Sequence, residues 1–439
     1  LDSHFYKVSI LFLEHLALQR PYFRHDIEQH HNVEYFSKSR RMELFFVQRK
    51  EHLFALLEKK RATLTAMADF LFDNPETAFE EYKAVELLTS FLEKSGFAVE
   101  RGVGALPTAF RAVYENGPGG PSIGLLCEYD ALPGMGHGCA HHIQGPAIVG
   151  AAESIKAVMS DSELPFRLVV YGTPGEEGGG GKIHMLENGC FRDIDLALMT
   201  HGGPATQTDV KSLALATLTV TFHGKSAHAA LKPEEGRSAL DGLLLCFQGV
   251  EFFREHVRED TRMHYTILDA GGPANVVPER AQGEFIFRSY SSTHLDAILE
   301  RFDDIAKGAA LMSGTTVTVQ RMKRLDSKIP VLALNELLMH NAELVDAPTR
   351  RPPRERTGST DFGNVTSVLP GAVIRVAFVP EGTPSHSEEF LRAGKSEKAH
   401  AAVLFAAKIL AGTCCDILEN PELIQKITAD FTAAKKEAR

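Results

Sequence analysis

One cysteine and three histidines fall within the stretch Gly136-His137-Gly138-Cys139-Ala140-His141-His142. Cys139 and His141 are one residue apart, so both can reach one ion or two neighbouring ions; the plainer reading is a polar turn with one packed histidine. Just upstream, Glu128 and Asp130 in Cys127-Glu128-Tyr129-Asp130 are placed to orient imidazoles. A second cluster holds adjacent carboxylates, Glu176 and Glu177, before the run Gly178 to Gly181. Such neighbours repel unless a cation or a proton lies between them. With one on a metal, the other is free to take a proton from water; the alternative is an acidic helix start followed by a flexible glycine stretch. His201 in Met199-Thr200-His201-Gly202-Gly203 and His386 in Thr383-Pro384-Ser385-His386 add two donors. Together Cys139, His141, Glu177, His201 and His386 suffice for two ions when one ligand or a water bridges them.

Each of these groups follows a segment that reads as a strand. Strands are expected over Thr108–Tyr114, Ser122–Cys127, Phe166–Tyr171, Asp195–Thr200 and Val373–Val379. Helices are expected over Glu80–Lys94, Gln144–Val158, Lys182–Asn188, Ser396–Leu410 and Pro421–Ala434, with an earlier one running from Phe45 to about Asp73. Open α/β sheets place their sites at the carboxyl ends of strands, which is where the donors gather. Between these parts the rhythm changes. Strand Ser212–His223, helix Ser238–Glu255, strands Tyr265–Leu268 and Ala281–Ser289, helix Ser292–Ala310 and strand Thr315–Arg321 make a β-α-β-β-α-β unit. The fold class that follows is α/β: a catalytic domain with a mostly parallel sheet flanked by helices, over 42–207 and 325–439, interrupted by a smaller α+β sandwich over 208–324. Residues 1–41 read as an N-terminal extension, with Met42 the expected natural start and a helical leader the alternative.

The chain as a whole narrows the classes. It has 439 residues, with 57 acidic against 47 basic side chains and a formal charge of −10, which argues against non-specific nucleic-acid binding. No stretch holds the roughly 18 consecutive apolar residues of a membrane span. The six cysteines are scattered rather than set out as a disulfide framework, so a reducing, cytoplasmic setting is expected.

In order, these motifs resemble the metallopeptidase and amidohydrolase family that includes glutamate carboxypeptidase, aminoacylase and peptidase T. The stretches Glu128–Pro133, His137–His142, Glu176–Gly181 and Gly358-Ser359-Thr360-Asp361-Phe362-Gly363 resemble its amidohydrolase branch, with p-aminobenzoyl-glutamate hydrolase and the β-alanyl-lysine dipeptidase group. The resemblance implies Cys139 as a ligand where relatives use a bridging aspartate, with His141, Glu177, His201 and His386 completing the set for one or two divalent ions (Zn, Mn or Co). It implies Glu176 as general base and Asp130 as the aspartate behind a ligand histidine. His228, in Gly224-Lys225-Ser226-Ala227-His228-Ala229, matches a histidine that helps hold an oxyanion; Asn275 and Arg288 match positions that bind the substrate carboxylate or position the substrate. Without the resemblance these three are a polar loop residue, a turn former and a solvated strand residue. The inserted domain would then be a lid and dimerisation domain of a homodimer, and the substrate an N-acyl or aminoacyl amino acid or dipeptide.

Two positions depart from the branch, which has glycine at Ala140 and Asp or Asn at His142. Ala140 adds a methyl group near the expected metal, and His142 is either silent or a competitor for the ion. The implied reaction is direct hydrolysis by activated water. Its rivals are Cys139 acting as a nucleophile, and a catalytically degenerate homologue that serves as a binding protein.

Overall fold

The computed structural model describes residues 48–438, so the expected extension over 1–41, the Met42 start and the first turn of the helix read from Phe45 lie outside the described residues. An eight-stranded sheet is ordered β1-β2-β4-β3-β5-β12-β6-β11, with β1 Ala98–Arg101, β2 Phe110–Asn116, β3 Ser122–Cys127, β4 Phe166–Gly172, β5 Leu196–Gly203, β6 Gln207–Ser212, β11 Arg354–Thr357 and β12 Gly371–Ala377. Its centre, β4-β3-β5-β12, is parallel. Around that centre the sheet is mixed: β11 runs parallel to β6, while β2 runs antiparallel to β4 and to β1, and β6 antiparallel to β12. Loop length is the cause. A parallel connection needs a crossover of about a dozen residues or more, and the short links 117–121 and 204–206 can only turn the chain back.

The central strands are buried on both faces, and their residues divide by alternation. Ile123, Leu125, Leu168, Val170, Leu196 and Leu198 enter one core; Leu126, Val169, Tyr171, Ala197 and Met199 enter another on the opposite face. The first core packs against α1 Arg61–Asp73, α2 Tyr82–Lys94, α3 His141–Met159 and the long helix Glu397–Glu419. That last helix is long and apolar enough to cross a membrane by composition, but 78% of its apolar window is buried inside this fold.

The second sheet, β10-β7-β9-β8, is antiparallel throughout, with β7 Ala214–His223, β8 Arg262–Asp269, β9 Arg280–Ser289 and β10 Thr316–Leu325. Helices Ala239–Phe253 and Ser292–Ser313 cover one face, around Leu218, Val220, Phe222, Phe285, Phe287 and Phe302. The strand expected from Ser212 begins at Ala214; the preceding segment is β6, paired with β12 and β11 in the larger sheet. Strands β8 and β10 form the edges of the smaller sheet, and among the described residues no further strand pairs with β8.

Candidate metal centre

Because β4, β3, β5 and β12 run parallel, their carboxyl ends meet at one edge of the sheet, and every expected metal donor lies at or beyond such an end. After β3 the chain loops to Ala140, which caps α3 in the left-handed conformation (φ 62°). Alanine adopts it at a penalty of about 1–2 kcal/mol. Gly202 makes room for its methyl group, since a Cβ at 202 would stand 2.8 Å from Ala140 Cβ. The cap sets Cys139 and His141 beside His201 of β5, with all three donor atoms within 4.8 Å of one another. Cys139 Sγ is 3.5 Å from His201 Nε2. A second group, Cys139, Glu177 and His386, is equally close, with His386 Nε2 3.2 Å from Glu177 Oε1. Cys139 is common to both groups.

Asp130 ties the two loops together. One carboxylate oxygen lies 3.1 Å from His141 Nδ1 and the other accepts the Glu177 backbone N–H at 2.9 Å. With Nδ1 donating to Asp130, Nε2 of the neutral His141 ring carries the lone pair. That nitrogen is buried, makes no hydrogen bond among the described residues and stands 3.4 Å from Glu128 Oε2. Burial opposes a charge on the ring, but Cys139 and Asp130 beside it raise its pKa well above the usual range, so Nε2 calls for a proton or a cation. A buried imidazole nitrogen left unsatisfied beside a thiol, a second imidazole and carboxylates is a donor set that a divalent cation completes. At His201, Nδ1 lies 2.6 Å from the Gly202 carbonyl, which leaves Nε2 toward Cys139. Burial and the nearby Arg375 push its pKa down to about 3, so the ring is neutral and able to ligate. Burial pushes the Cys139 thiol up to about 12, a shift that a bound cation reverses. Glu176 lies within the same span of His141 and Glu177. Burial, with Glu128 and Asp361 nearby, raises its pKa to about 8.

His142 is turned away from this group. Its Nε2 is 2.8 Å from the Gly394 carbonyl and its ring packs edge-on to Phe72 at 5.0 Å. The glycine run after Glu177 is also packed rather than open: a Cβ on Gly181 would stand 1.8 Å from the Pro174 carbonyl oxygen, and one on Gly179 2.1 Å from the Phe79 ring.

On the smaller sheet, His228 and Asn275 meet each other across a bridge, in which Ala229 N–H donates to the Asn275 carbonyl at 3.0 Å and His228 pairs with Val276. Both are exposed and neither joins the donor cluster. His228 Nδ1 faces the backbone N–H groups of Ala230 and Leu231, at 3.2 and 3.3 Å, so its proton sits on Nε2. Arg288 Nη1 donates to Ser359 Oγ at 3.0 Å, and among the described residues no carboxylate pairs with it.

Two residues of the site escaped the sequence reading. Lys182, fully buried, donates to Glu128 Oε1 at 2.6 Å and to Asp361 Oδ1 at 2.7 Å, and its backbone N–H donates to Asp361 Oδ2 at 3.0 Å. Its ammonium sits among the three carboxylates Glu128, Glu176 and Asp361, which otherwise have the spacing of a cation site. Glu81, also buried, accepts from Thr108 Oγ1 at 2.7 Å and from the Gly175 N–H at 2.9 Å, pinning the loop that carries Glu176.

A family model described as the peptidase dimerisation domain of the M20 group matches residues 211–311. Xaa-Arg dipeptidase of Homo sapiens is 32% identical over 401 residues, covering 87% of this chain and 91% of the relative. A p-aminobenzoyl-glutamate hydrolase polypeptide of Escherichia coli is 33% identical over 444 residues, covering 84% and 92%. The chain belongs to the M20 peptidase/amidohydrolase family. The M20 fold is equally plain in solved structures. A dinuclear metal-binding M20 peptidase from Bacillus subtilis superposes with a TM-score of 0.64 at 19% identity, over 82% of this chain and 99% of that one. An aminobenzoyl-glutamate utilization protein from Klebsiella pneumoniae gives 0.63 at 18%, over 83% and 98%. Membership in the M20 family, together with the donor clusters, makes this chain a metal-dependent amidohydrolase or peptidase that requires one or two divalent ions. Homodimeric assembly goes with its M20 dimerisation domain.

Proposed function

We propose that the enzyme hydrolyses the amide bond of N-acyl or aminoacyl amino acids and dipeptides, and that Cys139, His141, Glu177, His201 and His386 hold its ions. The observation that carries this reading is the convergence of two donor groups on Cys139 beside the unsatisfied Nε2 of His141. Ions held there supply Lewis acidity and lower the pKa of water. Thiolate and imidazole donors favour zinc, while the oxygen donors also suit manganese or cobalt.

The chain's own residues do the rest. Glu176 takes the proton of the attacking water and passes it to the departing nitrogen, for which a carboxylate shifted toward neutrality is suited. His228, with its proton on Nε2, donates to the oxyanion. Arg288, half-buried and without an anionic partner among the described residues, binds the substrate carboxylate through its planar fork, with Asn275 assisting. His228 and Asn275 reach the site by closure of the inserted domain, which carries β7 to β10, in a homodimer. Support for pairing through that domain comes from the free edge of β8 and the exposed Tyr265, Ile267, Leu268 and Phe252 along it and the adjoining helix. Six unpaired cysteines suit a reducing, cytoplasmic setting.

The test is metal removal and restoration on a panel of N-acyl and aminoacyl amino acids, run beside Glu176→Gln. Turnover should vanish with the metal and return with Zn²⁺, Mn²⁺ or Co²⁺. Glu176→Gln should keep its metal while losing roughly 10²- to 10⁴-fold in kcat. Turnover that survives full metal depletion would overturn the reading.

A further inference from the structure

More positive charge is gathered beside this site than the Arg288 clamp uses. Arg375 stands opposite His201 in the β5–β12 register, and its Nη1 is 3.1 Å from His201 Nδ1. Its Nε reaches Asp209 Oδ2 at 3.0 Å, and Arg354 Nε reaches Asp209 Oδ1 at 3.1 Å. Lys328, buried nearby, finds among the described residues only the Asp209 backbone carbonyl, at 2.6 Å. Arg356 follows Arg354 by two residues on β11, so both project from the same face. Its guanidinium lies 5.3 Å over the Tyr290 ring. Tyr290 in turn is two residues beyond Arg288, and Ser359, which accepts from Arg288, is three beyond Arg356. One cationic rim therefore runs from a metal donor, His201, to the carboxylate clamp.

Along this rim three guanidinium groups and an ammonium have the single carboxylate of Asp209 between them, in a chain whose overall charge is −10. Like charges held together in a partly desolvated place are unfavourable unless an anion joins them. Burial accordingly pushes Lys328 down to about 8. The donors are not exhausted either. A guanidinium has five N–H groups, and among the described residues neither the Nη atoms of Arg354 nor the guanidinium nitrogens of Arg356 donate to a protein group.

We infer that this rim is a subsite for a second carboxylate, carried on the side chain of the departing amino acid, so that the enzyme selects N-acyl or aminoacyl derivatives of acidic amino acids. The inference rests on the proposed function, with Arg288 on the α-carboxylate. A dicarboxylic leaving group places one carboxylate on Arg288 and the other on the forks of Arg354 and Arg356. A leaving residue with a basic side chain would meet like charge at the same place.

The experiment uses the metal-loaded enzyme and substrates with one common acyl group, ending in glutamate, glutamine or arginine. Glutamine has the shape of glutamate without its charge, so the glutamate-to-glutamine ratio of kcat/KM isolates the second carboxylate. That ratio should be at least about tenfold, as one charge-assisted, bidentate contact gives, with arginine the poorest. In Arg354→Gln/Arg356→Gln the ratio should fall toward one, whereas general damage to the fold would lower all three substrates together. Arg356→Gln alone, an exposed position, should move the ratio part of the way. Glutamine hydrolysed as well as glutamate by the wild type, or a ratio untouched in the double variant, would overturn the subsite and leave the hydrolase reading standing. Failure of the metal-loaded enzyme on all three substrates would overturn the hydrolase reading itself.

Discussion

Lys182 offers the sharpest physical test of how the site is held. Replacing it by Met keeps the stem's bulk and removes the ammonium that Glu128 and Asp361 share, leaving two fully buried carboxylates facing each other and Glu176. Breaking a buried ion pair from one side costs about 3–5 kcal/mol. A second route gives the same scale. The variant can relieve itself by protonating one carboxyl, which at pH 7 and a reference pKa near 3.9 costs about 4 kcal/mol. The sign with pH follows from that route. In the variant the folded carboxyl has a raised pKa, so the folded state holds a proton that the unfolded state lacks, and acidification favours folding. The gap to wild type should therefore shrink by about 1.4 kcal/mol for each unit below pH 7. The assay is thermal and urea unfolding of chelated protein, since an added cation could take the place of the ammonium. The transition should fall by roughly 10 °C at pH 7. The combined change Lys182→Met, Glu128→Gln and Asp361→Asn, which removes the charges together, should recover most of the loss. A Met variant within about 1 kcal/mol of wild type at pH 7, or a gap that widens toward pH 5, would refute the reasoning.

Other predictions are more local. Cys139→Ser replaces the proposed ligand by a neutral hydroxyl, so isothermal titration should find at least one ion bound about tenfold more weakly or lost; unchanged affinity would put the cysteine outside the ion's reach. Burial depresses His142 to about 4, so the unfolded chain takes up a proton near pH 6.5 that the folded chain refuses until about pH 4. Stability should fall on acidification across that window, by about 2 kcal/mol between pH 6.5 and 5, and His142→Gln should lose that part of the slope in urea titrations. Arg288→Ala should lower kcat/KM at least about tenfold for substrates ending in a free carboxylate and far less for the matching amides; equal losses would show that Arg288 is not the clamp.

The elements that carry the donors were legible because burial wrote them into the sequence twice. β3, β4, β5 and β12 are largely apolar, as strands covered on both faces must be. Each carries at its carboxyl end, or leads into, a loop with the candidate donor types. The edge strands left no such mark. β1 reads Ala-Val-Glu-Arg and β11 Arg-Glu-Arg-Thr, both largely exposed, so no alternation separates them from loop. Because β11 carries Arg354 and Arg356, the same invisibility hid the cationic rim.

Lys182 was hidden for a different reason. At the start of an expected helix, a lysine next to glycines reads as a solvated side chain, and only the fold supplies the contrary facts. Its partners are 54 residues before it and 179 after it, on two other loops at the same sheet edge. A metal ligand can be guessed from its own kind, because cysteine and histidine at strand ends have few other uses. A buried lysine cannot, since its meaning is set wholly by the carboxylates it neutralises. Three loops that each bring an acidic group to the metal edge would repel one another without it, and the ammonium joins them before any ion arrives. The candidate donor set was therefore readable one motif at a time, while the device that lets those motifs share one edge exists only once the chain is folded.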